Sequence, residues 1–165
     1  MKVREIMTQP VKTCSPETNL AAAAMEMWDG DCGVIPVVTP ERRVLGMITD
    51  RDICMAVATK HRKAEEITVA EVLWESGDRQ SLQTCDEEDD VRSALKTLRR
   101  HQIRRLPVIG QDGQLTGILS INDILLAERD LMEPKSKKGA GLMPQDVIDT
   151  FKSICAHGRL PAIAA

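Results

Sequence analysis

Apolar and polar positions along the chain fall into two rhythms, and both recur. Leu20, Ala23, Ala24 and Met27 repeat at helical spacing and predict a helix with one buried stripe. Ser15-Pro16-Glu17 ahead of them is a helix-start signal, with Ser15 as N-cap and Pro16 at the first helical position. Val34–Val38 is an unbroken apolar run that reads as a buried strand. Pro36 has no N–H, which puts it at an edge or a bulge. Thr39–Arg43 is a turn, and Val44–Ile48 is a second strand that pairs with the first as a hairpin. A helix is predicted from Asp50 to about Ala58.

The whole pattern then starts again. Val3-Arg4-Glu5-Ile6-Met7 is echoed 66 positions later by Val69-Ala70-Glu71-Val72-Leu73. Past a longer loop at Trp74–Leu82 the offset becomes 71 and stays there. Thr13-Cys14 then matches Thr84-Cys85, and the stripe residues match Val91, Ala94, Leu95 and Leu98. Pro36-Val37 matches Pro107-Val108, and Gly46 matches Gly117. Asp86 stands where Ser15 stood, as the expected second cap. Each repeat is a strand–helix–strand–strand–helix element of roughly 55–60 residues, marginal alone. The expected fold class is therefore α/β (α+β), as two pseudo-symmetric units packed sheet to sheet. The expected boundaries are 1–60 for the first, 61–68 for a charged linker and 69–131 for the second. Residues 132–165 remain as a tail. There, Pro134–Gly141 reads as a flexible linker, and Pro144-Gln145-Asp146 opens a short amphipathic helix with Val147, Ile148, Phe151 and Ile154 that ends near Gly158. So short a helix needs a surface to dock on.

Composition narrows the function. A net charge of −3 and very few aromatic residues argue against nucleic-acid binding. No apolar run nears the ~20 residues that span a bilayer, and the N-terminus lacks the apolar core of a signal peptide. The expected location is the cytoplasm. Five scattered cysteines without a C-x-x-C pair suggest reduced, mostly buried thiols. His61, His101 and His157 show no metal-ligand spacing. No P-loop and no histidine–acid or cysteine–histidine grouping stands out, which argues against an enzyme.

What carries chemistry is the doubled stretch Gly46–Ile53 and Gly117–Ile124. A glycine permits close approach to the strand, and two apolar residues anchor it. Thr49 or Ser120 then caps a helix, and Asp52 or Asp123, three residues on, can reach back to the cap. Capping alone would explain one copy. The same geometry also suits a nucleotide: the helix start attracts phosphate, the hydroxyl adds a bond, and an acid accepts from the ribose hydroxyls.

With both copies in view, the chain resembles a tandem pair of cystathionine-β-synthase (CBS) domains, a Bateman module. The family pattern is Gly, two apolar residues, Ser or Thr, two variable residues, Asp and an aliphatic residue. Both copies match it, as do Ile35-Pro36-Val37 and Leu106-Pro107-Val108. The resemblance covers roughly residues 1–131. It implies a regulatory module that binds AMP, ADP, ATP, S-adenosylmethionine or a related adenosyl ligand in clefts between the repeats. It implies no cofactor. Thr49 and Ser120 would touch phosphate or ribose, and Asp52 and Asp123 would hold the ribose diol. Val34 and Arg105 would face adenine, and Thr13 and Thr84 would line the opposite wall. Such modules commonly dimerise, so a homodimer and a regulated protein partner are expected. The copies differ between hydroxyl and acid, with Asp50-Arg51 in one and Ile121-Asn122 in the other. Arg51 favours a charged ligand in the first site, while Arg104 and Arg105 offer cations to the second. The alternative is a dimerisation scaffold whose clefts bind nothing.

Overall fold

The structure is a computed structural model that describes residues 1–75, 82–131 and 144–156. Helices and strands alternate in an α+β fold of two compact units. The first-motif unit is Pro10–Gln83 with Ile109–Thr116, and the second-motif unit is Met1–Gln9, Thr84–Val108 and Gly117–Ala165.

In the first-motif unit, helix α1 (Leu20–Asp29) leads to strands β1 (Val34–Val38) and β2 (Val44–Thr49) and then to helix α2 (Asp50–Lys60). The strands pair antiparallel, Val34 opposite Thr49, with an irregularity between Val37 and Val38. Pro36 still bonds through its carbonyl, which accepts from the Cys14 N–H at 3.1 Å. Helix α3 (Val69–Glu75) closes the unit. Leu20, Ile35, Val37, Ile48, Ile67 and Val69 form its core with almost no exposure.

The helix-start signal at Ser15 fails. Helix α1 begins at Leu20, capped by Asn19, whose side chain accepts from the Ala22 N–H at 2.8 Å. Ser15 and Thr18 close a turn of their own, through Thr18 N–H to Ser15 O and Ser15 N–H to Thr18 Oγ1. The carbonyls of Pro16 and Thr18 accept from Ala70 and Val69 instead of feeding a helix. Tertiary pairing overrides the local signal.

In the second-motif unit the same correction applies. Helix α4 (Val91–His101) starts five residues after Asp86 and is capped by Asp90. Asp86 and Asp89 form the turn, and the carbonyls of Glu87 and Asp89 accept from Arg4 and Val3. A three-stranded sheet runs in the order β3 (Cys85–Asp86), β4 (Arg105–Ile109), β5 (Leu115–Ser120). Helix α5 (Ile121–Leu131) follows. Val3, Val91, Leu98, Leu106, Leu119 and Ile124 make the core.

Helix α6 (Pro144–Cys155) docks on α4. Val147 and Phe151 join the core of this unit. Gln102 donates to the Ser153 carbonyl, and the Ser153 hydroxyl donates to the Arg99 carbonyl, both at 3.1 Å. Ile148 stays exposed. The linker expected at Pro134–Gly141 and the helix end near Gly158 lie outside the described residues. Among the described residues, no helix is long and apolar enough to cross a membrane.

Candidate functional site

Each motif closes on itself in the same way. In the first, Thr49 caps α2 and accepts from the Asp52 N–H at 3.1 Å. Asp52 Oδ2 accepts from the Thr49 N–H at 3.1 Å and from the Thr49 hydroxyl at 2.7 Å. In the second, Asp123 Oδ2 accepts from the Ser120 N–H and the Ser120 hydroxyl, both at 2.6 Å. The Asp123 N–H returns a bond to Ser120 Oγ at 3.2 Å. Strand register places the helix start in both: Asp50 N–H donates to Gly33 O, and Ile121 N–H donates to Arg104 O. The capping boxes expected from sequence are thus present in both copies.

The two glycines serve a close approach from the chain itself. A Cβ on Gly46 would stand 3.1 Å from Leu73 Cδ2. On Gly117 it would stand 2.5 Å from Met7 Sδ and 3.2 Å from the Thr8 carbonyl. Leu73 and Met7 are themselves repeat equivalents, so the duplication extends into how each strand is packed.

Thr8 is a residue at the second motif that sequence reasoning missed. Its hydroxyl donates to Asp123 Oδ1 at 3.1 Å, and its backbone pairs with Ile118. The residue at the matching position of the other repeat is Trp74, whose side chain is largely exposed. The signal was available: Thr8 follows the Met7 echo directly. Only the fold shows that it reaches a residue 115 positions away.

Predicted residues are gathered unevenly. A cavity of about 260 Å³ in the second-motif unit is lined by Arg104, Arg105, Ser120, Ile121, Asn122, Phe151, Ile154 and Cys155. Three residues expected at the second site, Arg105, Ser120 and Asn122, meet there. Asp123 and Thr84 do not line it, and Thr84 sits half-buried beside Cys85. In the first-motif unit, Val34 and Thr49 face each other across the hairpin. Arg51 is exposed, and its N–H is held by Asp50 Oδ1 at 2.6 Å. A larger cavity, about 450 Å³, lies between α1 and α2 and is lined by Met27, Trp28, Cys32, Gly33, Asp50 and Cys54 among others. It contains none of Thr13, Val34, Thr49, Arg51 and Asp52. The motif chemistry, rather than cavity size, marks the candidate site.

The second cavity sets two cations beside the Asp123 carboxylate, which is bonded to Ser120 at the same helix start. Arg104 and Arg105 line the cavity at the N-terminus of α5, where the helix dipole also favours an anion. Among the described residues, no group of three His, Cys, Asp or Glu is placed to hold a metal ion.

The equivalent cysteines behave as core. Burial pushes the Cys14 thiol up to about 11, with Glu26 adding to it, and the Cys85 thiol up to about 12, with Asp89 and Asp86 adding to it. The thiolate is the reactive form, so both are protected near neutrality. Brief iodoacetamide treatment of the native protein at about pH 8 is expected to alkylate the exposed Cys54 and Cys155 and spare Cys14 and Cys85. Peptide mass mapping reads this, and early labelling of Cys14 or Cys85 would contradict their burial.

Against known proteins, the CBS-domain profile matches residues 3–59 and 68–130. The chain is 32% identical over 130 residues to the uncharacterized protein YlbB of Bacillus subtilis, covering 78% of this chain and 82% of that protein. Among solved structures it is similar to Hypoxic Response Protein I with two coordinated zinc ions, at 28% identity and TM-score 0.66, covering 76% of this chain and 98% of the other. It is also similar in fold to a CBS domain protein from Pyrobaculum aerophilum complexed with AMP, at 24% identity and TM-score 0.67, covering 81% and 97%.

Proposed function

The chain belongs to the CBS-domain family, and from that premise we propose that it is a non-catalytic regulatory module. It binds an adenine nucleotide or related adenosyl ligand at its motifs and passes the occupancy to a partner protein. The observation that carries this reading is the doubled helix start, where a hydroxyl and a carboxylate converge with the same bonding in both copies. The AMP complex of the Pyrobaculum relative supports the ligand class.

The carboxylates are suited to a ribose diol. Asp123 uses Oδ2 for Ser120 and Oδ1 for Thr8. A carboxylate has about four acceptor positions. Three of them are taken, two on Oδ2 and one on Oδ1, so a diol that takes one bond at each oxygen fits beside Thr8 on Oδ1 and competes with Ser120 for Oδ2. In the first-motif unit, the exposed Met25, Trp28 and Met55 on α1 and α2 support the homodimer part of the reading.

Isothermal calorimetry with AMP, ATP and S-adenosylmethionine tests the proposal. Binding of at least one ligand is expected, and the double variant Asp52→Ala, Asp123→Ala is expected to lose it. The bound ligand is also expected to raise the melting temperature of the wild-type chain alone. No binding of any of the three at millimolar concentration would sink the proposal and leave the scaffold reading.

A further inference from the structure

We infer that helix α6 is part of the second ligand site: its Phe151, Ile154 and Cys155 form the wall that meets the base of a nucleoside phosphate whose anionic end is held by Arg104, Arg105 and the start of α5. This rests on the nucleotide reading above and adds residues from outside both repeats.

The cavity has two unlike walls. One carries Arg104, Arg105, Ser120 and Asn122: cations, a hydroxyl and an amide gathered at a helix N-terminus. Among the described residues, neither guanidinium is within salt-bridge distance of a carboxylate. The other wall comes from α6 and is apolar, with Phe151 half-buried and Ile154 almost wholly buried. An anionic group bonded to a flat, weakly polar ring fits such a division. The chain has no tyrosine and a single phenylalanine, and that phenylalanine stands in this wall. Aromatic side chains stack on any base face.

The wall is held in place. Thr150 is buried and its hydroxyl bonds back to the Asp146 carbonyl at 2.8 Å. The bonds of Ser153 to Arg99 and Gln102 tie the last turn of α6 to the last turn of α4. From there the chain runs directly into Arg104 and Arg105. The element that positions the cations therefore also positions the aromatic wall. The first motif is built otherwise: Gly33 and Val34 occupy the positions of the two arginines. The two sites are consequently unequal, and the second is the one whose occupancy is linked to α6. Linkage is reciprocal, so a ligand that gains affinity from docked α6 also holds α6 down.

The test uses the full chain carrying Asp52→Ala, which silences the first motif, with AMP as the probe. Phe151→Ala and Cys155→Trp are added one at a time. Cys155 is exposed, so tryptophan there fills the cavity without entering the core. Ile148→Ala, on the exposed side of α6, is the control. Calorimetry is expected to show AMP affinity lowered at least about tenfold, or about 1.4 kcal/mol, by each wall variant and unchanged by Ile148→Ala. In the Asp52→Ala chain without wall variants, saturating AMP is expected to slow alkylation of Cys155. Where Phe151→Ala lowers the melting temperature, Cys155→Trp decides. Equal affinity in the wall variants, or unchanged labelling of Cys155, overturns the inference while AMP binding itself stands. AMP binding by wild type but not by the Asp52→Ala chain also overturns it. No AMP binding by either chain removes the nucleotide reading for AMP, and this inference with it.

Discussion

Asp123→Ala will disable the second motif and loosen the unit around it. The carboxylate accepts from the Ser120 N–H, the Ser120 hydroxyl and the Thr8 hydroxyl. Alanine leaves all three donors without this acceptor. The site is partly exposed, so water replaces some of what is lost. Bonds to a charged group are worth about 1.5–3 kcal/mol each before that compensation, which puts the net cost near 2 kcal/mol. For a domain of this size the melting temperature falls by about 6 °C. Ligand affinity at this motif falls further, by roughly 100-fold, because the two charge-assisted bonds to a ribose diol go with the side chain. Asp123→Asn separates the two effects. It keeps one acceptor oxygen but presents an amide N–H₂ as well, which cannot accept, so stability recovers in part while affinity does not. A variant Asp123→Ala that melts and binds like wild type would show that the carboxylate neither holds the N-terminal segment nor meets a ligand.

The second large effect is on the core beneath α6. Leu98 lies on α4 with no exposure, in one cluster with Val3, Leu106, Ile124 and Val147. Leu98→Ala removes buried methyl groups and leaves a cavity between elements from four parts of the chain. Such sites cost about 2–5 kcal/mol. Because the neighbours come from a helix pair, a strand and the N-terminal turn, they cannot all close in together, and about 3–4 kcal/mol is expected here. Urea titration followed by circular dichroism measures it. A midpoint within error of wild type would mean that Leu98 is not a keystone of this unit.

Much of this was readable in the residues. The hydroxyl–acid pairs that cap α2 and α5 depend on neighbours three positions apart, and the hairpin β1–β2 joins strands adjacent in sequence. Those neighbours are in the sequence, so the capping boxes could be read directly. Ser15 and Asp86 misled because a helix start is decided by where the backbone carbonyls find donors. Those donors are Val69, Ala70, Val3 and Arg4, at the far side of each unit. Asn19 and Asp90 are the caps left once those carbonyls are taken. Thr8 and Phe151 escaped for a related reason. Each reaches the second motif across the fold, and periodicity carries no trace of such a partner. The apolar spacing of Val147, Phe151 and Ile154 announced a buried face on α6 but not that part of it would border Arg104 and Arg105.

The exchange of opening segments bears on synthesis and folding. Val3 and Arg4 pair with Asp89 and Glu87, which are made much later, while Val69 and Ala70 pair with Thr18 and Pro16. A ribosome releases Val3 long before its partners exist, so this apolar segment waits unpaired while the intervening residues are translated. The first-motif unit can close its core while the second is still unfinished. Contacts so distant along the chain slow the final step, because a long loop must be closed before they yield any stabilisation. Severing the chain in the 61–68 stretch would not release two self-sufficient halves, since each half would carry away the opening segment that completes the other. Mixed together, such halves should instead reassemble by complementation.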